Sequence, residues 1–106
     1  MTKITLLLAA FSVGAAAFVA FADEVPLLDV SRTCRTEAAT NKSAIDGCMA
    51  DERTAREQLA KEWVQFAISI RTNCTREAAG IIGIQSYVEL LTCLQIAREA
   101  AKLPKE

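Results

Sequence analysis

Four cysteines, Cys34, Cys48, Cys74 and Cys93, are the residues of this chain best suited to chemistry. As free thiolates they could bind a metal or exchange electrons; paired, they become covalent staples. Around two of them the chain nearly repeats itself, with CRTEAAT at 34–40 and CTREAAG at 74–80. Zinc-binding cysteines usually come in closely spaced knuckles or together with histidines. Here 13 residues separate the first pair, 18 separate the second, and histidine is absent from the whole chain, so no metal is expected. A redox site would want C-x-x-C or a thiolate stabilised by nearby cations. Arg35 and Arg76 follow two of the cysteines, and a thiol-redox protein is the alternative reading. An even cysteine count in a small exported chain reads first as a disulfide framework.

The remaining chemistry is sparse. Without histidine there is no Ser-His or Cys-His nucleophile system. Asp51-Glu52 is the densest acidic pair, but neighbouring helix positions point about 100° apart, so the two read as a solvated face rather than an acid/base dyad. Gly80 and Gly83 match neither phosphate-binding glycine pattern. The sequence therefore implies no catalytic residue, no cofactor and no enzyme. Trp63 and Phe66 stand one helical turn apart. They read as core residues or, with Tyr87, as an exposed aromatic anchor of the kind on which interface energy concentrates.

These residues must be positioned by a short chain. Residues 1–22, MTKITLLLAAFSVGAAAFVAFA, carry one early cation, a long apolar run and Ala20-Phe21-Ala22 before Asp23-Glu24. This is the layout of a secretory signal peptide cleaved after Ala22. If it were retained, the 19 residues from Ile4 to Ala22 could anchor the chain in a membrane, making it an anchored accessory subunit. Removing 22 of the 106 residues leaves 84, a single domain with a thin core that needs covalent help. With 11 of the 12 basic residues and all 13 acidic ones, that remainder has a formal charge of −2 and no basic run. Nucleic acid is not expected as a partner, and a membrane only if the N-terminal segment stays attached.

Residues 23–30 read as an extended lead-in, and 31–103 as one helical four-cysteine domain. Asp29 or Ser31 is the candidate cap of a short helix over Ser31–Ala39. Ser43 and Asp46 suggest the start of a second helix running to Ile70. Its Ile45, Cys48, Met49, Ala55, Leu59, Trp63, Phe66 and Ile70 recur at steps of three and four, opposite Arg53, Glu57 and Lys61. Arg71-Thr72-Asn73 reads as a break before a short helix over Cys74–Ala79, which Gly80 would end. The apolar loop Gly80–Gln85 is expected to tuck its isoleucines under the fold. Ser86 and Glu89 fit a capping box at the head of the last helix, which runs to Leu103 just before Pro104. The expected fold is all-α, a disulfide-stapled hairpin or bundle of two long and two short helices.

Helix geometry then selects a pairing. A single helix over Ser43–Ile70 would hold Cys48 about 33 Å from its far end, whereas disulfide Cα atoms lie within roughly 7 Å. Cys48 with Cys74 is thereby excluded, and Cys34 with Cys93 along with it. The short loop would set residue 86 near residue 70 and Cys93 about 10 Å further on, which disfavours Cys48 with Cys93. Cys34 with Cys48 and Cys74 with Cys93 remain, each tying a short helix to a long one. Closing loops of about 15 and 20 residues contributes about 3 kcal/mol each.

The run from Trp63 through Phe66 to Cys74, Glu77 and Ala78, then a glycine loop, Cys93-Leu94 and Arg98, resembles the domain of the lysozyme inhibitor LprI family. That family carries W-x-x-[YF], then C-x-x-E-A, a glycine-containing loop and a final cysteine before an arginine. Cys48-Met49-Ala50-Asp51-Glu52 is similar to its second cysteine and the helix behind it. The likeness covers about 60 residues. In this chain the interval from Trp63 to Cys74 is longer, the arginine after the aromatics is displaced to Arg71, and the paired glycines are split into Gly80 and Gly83. SYVELLTCL is also similar to a segment of small exported four-cysteine proteins of alphaproteobacteria. That second likeness implies nothing about activity; the likeness to the LprI family implies a helical protein that acts by binding another protein, a lysozyme-like enzyme being the concrete case, and residues 1–22 imply that it is exported, periplasmic or secreted.

Overall fold

The second helix gathers the best helix-forming composition in the chain, and in the computed structural model it is the longest element. The structure describes residues 24–80 and 85–105. Within them lie α1 (Val30–Ala38), α2 (Lys42–Glu62), a 3₁₀ turn (Trp63–Gln65), α3 (Ile68–Gly80) and α4 (Tyr87–Ala101). The described residues contain no strand. The fold is all-α and stapled by Cys34–Cys48 and Cys74–Cys93, with Cα separations of 5.6 and 5.7 Å. Residues 1–22, read above as a signal peptide, and the isoleucines at 81, 82 and 84 fall outside the described residues.

Caps fix where the helices begin. Asp29 caps α1, its carboxylate accepting from the Arg32 N–H at 3.4 Å. Asn41, rather than Ser43, caps α2 by accepting from the Ala44 N–H at 3.1 Å. An amide side chain one residue ahead of the first turn does this as well as a serine. Between the two helices Ala39 has φ 53°, a left-handed conformation that glycine adopts at lower cost.

The expected single helix over Ser43–Ile70 is interrupted. It tightens into the 3₁₀ turn at Trp63, and Phe66 leaves it in an extended conformation with φ −79° and ψ 140°. No glycine or proline marks this place. Trp63, Val64, Phe66, Ile68 and Ile70 are all β-branched or aromatic, with lower helix propensity than the Ala-, Glu-, Lys- and Leu-rich stretch before them. The break aims both aromatics inward while leaving Val64 and Ile68 exposed. Arg71-Thr72-Asn73, expected as a break, lies inside α3, which therefore runs for 13 residues instead of being a short helix over Cys74–Ala79.

After this break the chain doubles back. α3 runs antiparallel to α4, and α4 packs against both α2 and α3. Residue 86 consequently sits beside Glu52 of α2, not near residue 70 as a continuous helix would require. α4 travels in the same direction as α2, from Glu52 at its head to Glu62, which its Arg98 meets at 3.5 Å. The expected pairing of cysteines holds although the long-helix premise used to reach it does not.

The core gathers on this three-helix unit. Ala55, Leu59, Trp63 and Phe66 face Cys74, Ala78, Tyr87, Leu90, Leu91 and Leu94 as one buried cluster. Leu59, Leu90 and Leu94 are fully enclosed, and burial of that completeness contributes about 1.5–3 kcal/mol per side chain. α1 touches this cluster through Val30 at its edge and otherwise packs on α2.

Candidate functional site

At the head of α4, a helix start leaves several backbone N–H groups without partners inside the helix. Ser86 fills its expected role, its hydroxyl accepting from the Glu89 N–H at 3.2 Å. The carboxylate that meets the next donors comes from another helix. Glu52 of α2 is only 4% exposed. It accepts from the Ser86 hydroxyl and the Tyr87 N–H, each at 2.5 Å, and from the Val88 N–H at 3.4 Å. The positive end of the α4 dipole favours a carboxylate there. Reading Asp51-Glu52 as a solvated pair is thus correct for Asp51, which is exposed, and incorrect for Glu52. The signal available in sequence was its helical register: Glu52 precedes Ala55 and Leu59 at steps of three and seven, on the face that turns inward.

The lead-in, a non-helical strap over residues 24–29, docks against this same helix head. The Tyr87 hydroxyl donates to the Pro26 carbonyl at 2.9 Å and accepts from the Leu28 N–H at 3.0 Å. Gln85 binds the strap and α1 together: its side chain accepts from the Asp29 N–H at 2.7 Å, and its backbone exchanges two bonds with the Thr33 hydroxyl. A small groove of about 220 Å³, lined by Leu27, Leu28, Met49, Arg53, Arg56 and Tyr87 among others, runs beside the strap.

Trp63, Phe66 and Tyr87 are each 3% exposed. The exposed-anchor reading of these three gives way to the core reading, because the helix break and the docked strap turn them inward. Each has an arginine over its ring: Arg71 over Trp63 at 5.7 Å, Arg98 over Phe66 at 4.7 Å and Arg56 over Tyr87 at 5.6 Å from the centroid. Ring faces attract a guanidinium, and its stem covers apolar surface; Arg56 is exposed and Arg98 partly so, whereas Arg71 is itself buried. Arg98 also pairs with Glu62, so one side chain joins the end of α2, the break and α4.

A larger cleft lies elsewhere, along the seam of α3 and α4. It has a volume of about 450 Å³ and is lined by Cys74, Glu77 and Ala78 from α3 and by Glu89, Thr92, Cys93, Ile96 and Ala97 from α4. The second disulfide forms part of its wall, with the Glu77 carboxylate 3.5 Å from the Cys93 sulfur. Because the helices are antiparallel, Glu77 and Glu89 gather toward the head of α4, whereas Ile96 and Ala97 lie a turn beyond Cys93. Ile96 is 64% exposed, a large apolar side chain held at the rim of an apolar cleft. Sequence reasoning did not single it out; a lone isoleucine on a helix otherwise patterned for the core carries no distinguishing signal.

All four cysteines are consumed in the two bonds. Among the described residues no group of three or more potential ligands converges on a metal position, and no helix is long and apolar enough to cross a membrane. No family model, curated protein or solved structure matches the chain.

Proposed function

We propose that this is an exported, periplasmic or secreted, helical binding protein, and that the seam of α3 and α4 is its contact surface. The observation that carries the reading is the 450 Å³ cleft with the exposed Ile96 at its rim. Elsewhere the distinctive side chains are engaged in holding the fold: Glu52 caps α4, and Arg56, Arg71 and Arg98 cover aromatic rings. A disulfide in the cleft wall keeps the two flanking helices in register, and rigid surfaces lose less entropy on binding. Two disulfides are compatible with an oxidising compartment, which supports export. The burial of Cys34 and Cys74 supports a structural role for both bonds rather than thiol exchange.

The narrower version is inhibition of a lysozyme-like enzyme. Cys74, Glu77, Ala78 and Cys93, four of the residues that carry the resemblance to the LprI family, line this cleft. Two experiments separate the general reading from the narrow one. A photo-crosslinking amino acid placed at Ile96 in the producing cells should yield adducts of discrete higher mass, and the same group at Glu57 on the far side of α2 should not. Absence of adducts at position 96 overturns the contact surface. In a lysozyme turbidity assay the purified protein should slow lysis and Ile96→Lys should not; undiminished lysis at large molar excess removes the inhibitor version alone.

A further inference from the structure

Resting on that contact surface, we infer that the α3–α4 cleft receives a cationic amphipathic helix of a partner protein, with an apolar side chain against Ile96 and a lysine or arginine against Glu77 and Glu89. The charge of the lining carries the argument. Among the described residues that line it, the two ionisable ones are both carboxylates and none is basic. The two acids lie toward one end of the seam and Ile96 with Ala97 toward the other, so the occupant must present a cation and an apolar group on one face. Glu89 to Ala97 spans eight residues of α4, about 12 Å, or two helical turns. Residues seven or eight apart on a docked helix lie on one face at that spacing, and an amphipathic helix in an apolar groove is a recurring recognition mode. The alanines at 78 and 97 keep the floor shallow enough for another backbone to approach. Opposite charges at the end of the groove fix the direction in which the helix enters.

The test is selection of peptides from a displayed random 16-residue library on the intact, oxidised protein, followed by isothermal titration of the enriched peptides. The enriched sequences should carry lysine or arginine two turns, seven or eight residues, from leucine, isoleucine or phenylalanine. Their affinity should fall about tenfold or more on Ile96→Lys and about tenfold on the Glu77→Gln/Glu89→Gln pair. All three substituted side chains are exposed, so the fold should tolerate them. Circular dichroism and intact mass of each variant check that it does. Peptides without a positive charge that still lose affinity on Ile96→Lys would overturn the cationic partner and leave the contact surface standing. Enriched peptides indifferent to Ile96→Lys, or no enrichment at all, would overturn both.

Discussion

The two disulfides close loops of similar length, with sequence separations of 14 and 19, yet they sit in different surroundings. Cys74 and Cys93 belong to or pack against the cluster built by α2, α3 and α4. Cys34 and Cys48 lie outside it, where α1 rests on the first turns of α2. Apart from its disulfide and that packing, α1 is held by the bonds of Thr33 and Asp29 to Gln85 and by Val30 at the edge of the core. The same covalent device therefore does two jobs. One bond reinforces a cooperative core and the wall of the cleft; the other tethers a peripheral helix that the core would not hold alone.

Breaking each bond in turn should expose the difference. Cys74→Ser/Cys93→Ser should cost about 3 kcal/mol of global stability, seen as a fall in Tm of about 15 °C for a domain this small. Cys34→Ser/Cys48→Ser should lower the main transition by less than about 5 °C while α1 loses helical content, because local opening does not require the core to unfold. Equal losses in the two variants would contradict the comparison.

Glu52 joins the regions, since it rises from α2 close to the tethered end and caps the head of α4 beside the strap. Glu52→Ala leaves buried donors unmet and should destabilise by about 2–4 kcal/mol in denaturant unfolding; Glu52→Gln, which keeps an acceptor, should recover about half of that. A smaller effect is expected at the opposite end of the core. Arg98→Ala removes the guanidinium over Phe66 and the contact with Glu62, and should cost about 1 kcal/mol. In the tethered region the sign reverses. Ala39→Gly should raise the stability of the α1–α2 unit by about 1 kcal/mol, since glycine accepts the left-handed φ without strain.

The smallest expected effect lies far from both bonds. Lys102 donates a hydrogen bond to Glu99 at 2.9 Å and, through it and its charge, holds that carboxyl below the usual range. The associated stability is present above the ordinary carboxylate pKa and fades as pH falls through the lowered folded value. Lys102→Ala should return Glu99 toward its ordinary titration in an NMR experiment, with Tm at neutral pH unchanged because the pair is exposed.

Much of this architecture was legible in the chain. The period of three and four identified Ala55, Leu59 and Trp63 as a core face, and Ser86 announced the head of α4, because local rules govern both. Cys34 with Cys48 and Cys74 with Cys93 followed from spacing, even though the reasoning assumed a helix straight through Phe66. The break there was hidden because only a dip in helix propensity marks it, and the tertiary gain from burying Trp63 and Phe66 together decides the outcome. Glu52 and Ile96 were hidden for a related reason. A buried carboxylate makes sense only once α4 lies beside α2, and an exposed isoleucine matters only once a cleft is seen next to it.

Native-state amide hydrogen exchange of the oxidised protein tests the two-region account most directly. The account predicts that amides of Leu90–Leu94 in α4 exchange only through global unfolding, with a denaturant dependence matching the full transition, while those of α1 exchange through a smaller opening with a shallow dependence. Amides of α1 sharing the free energy and denaturant dependence of α4 would show one cooperative unit, and would contradict it.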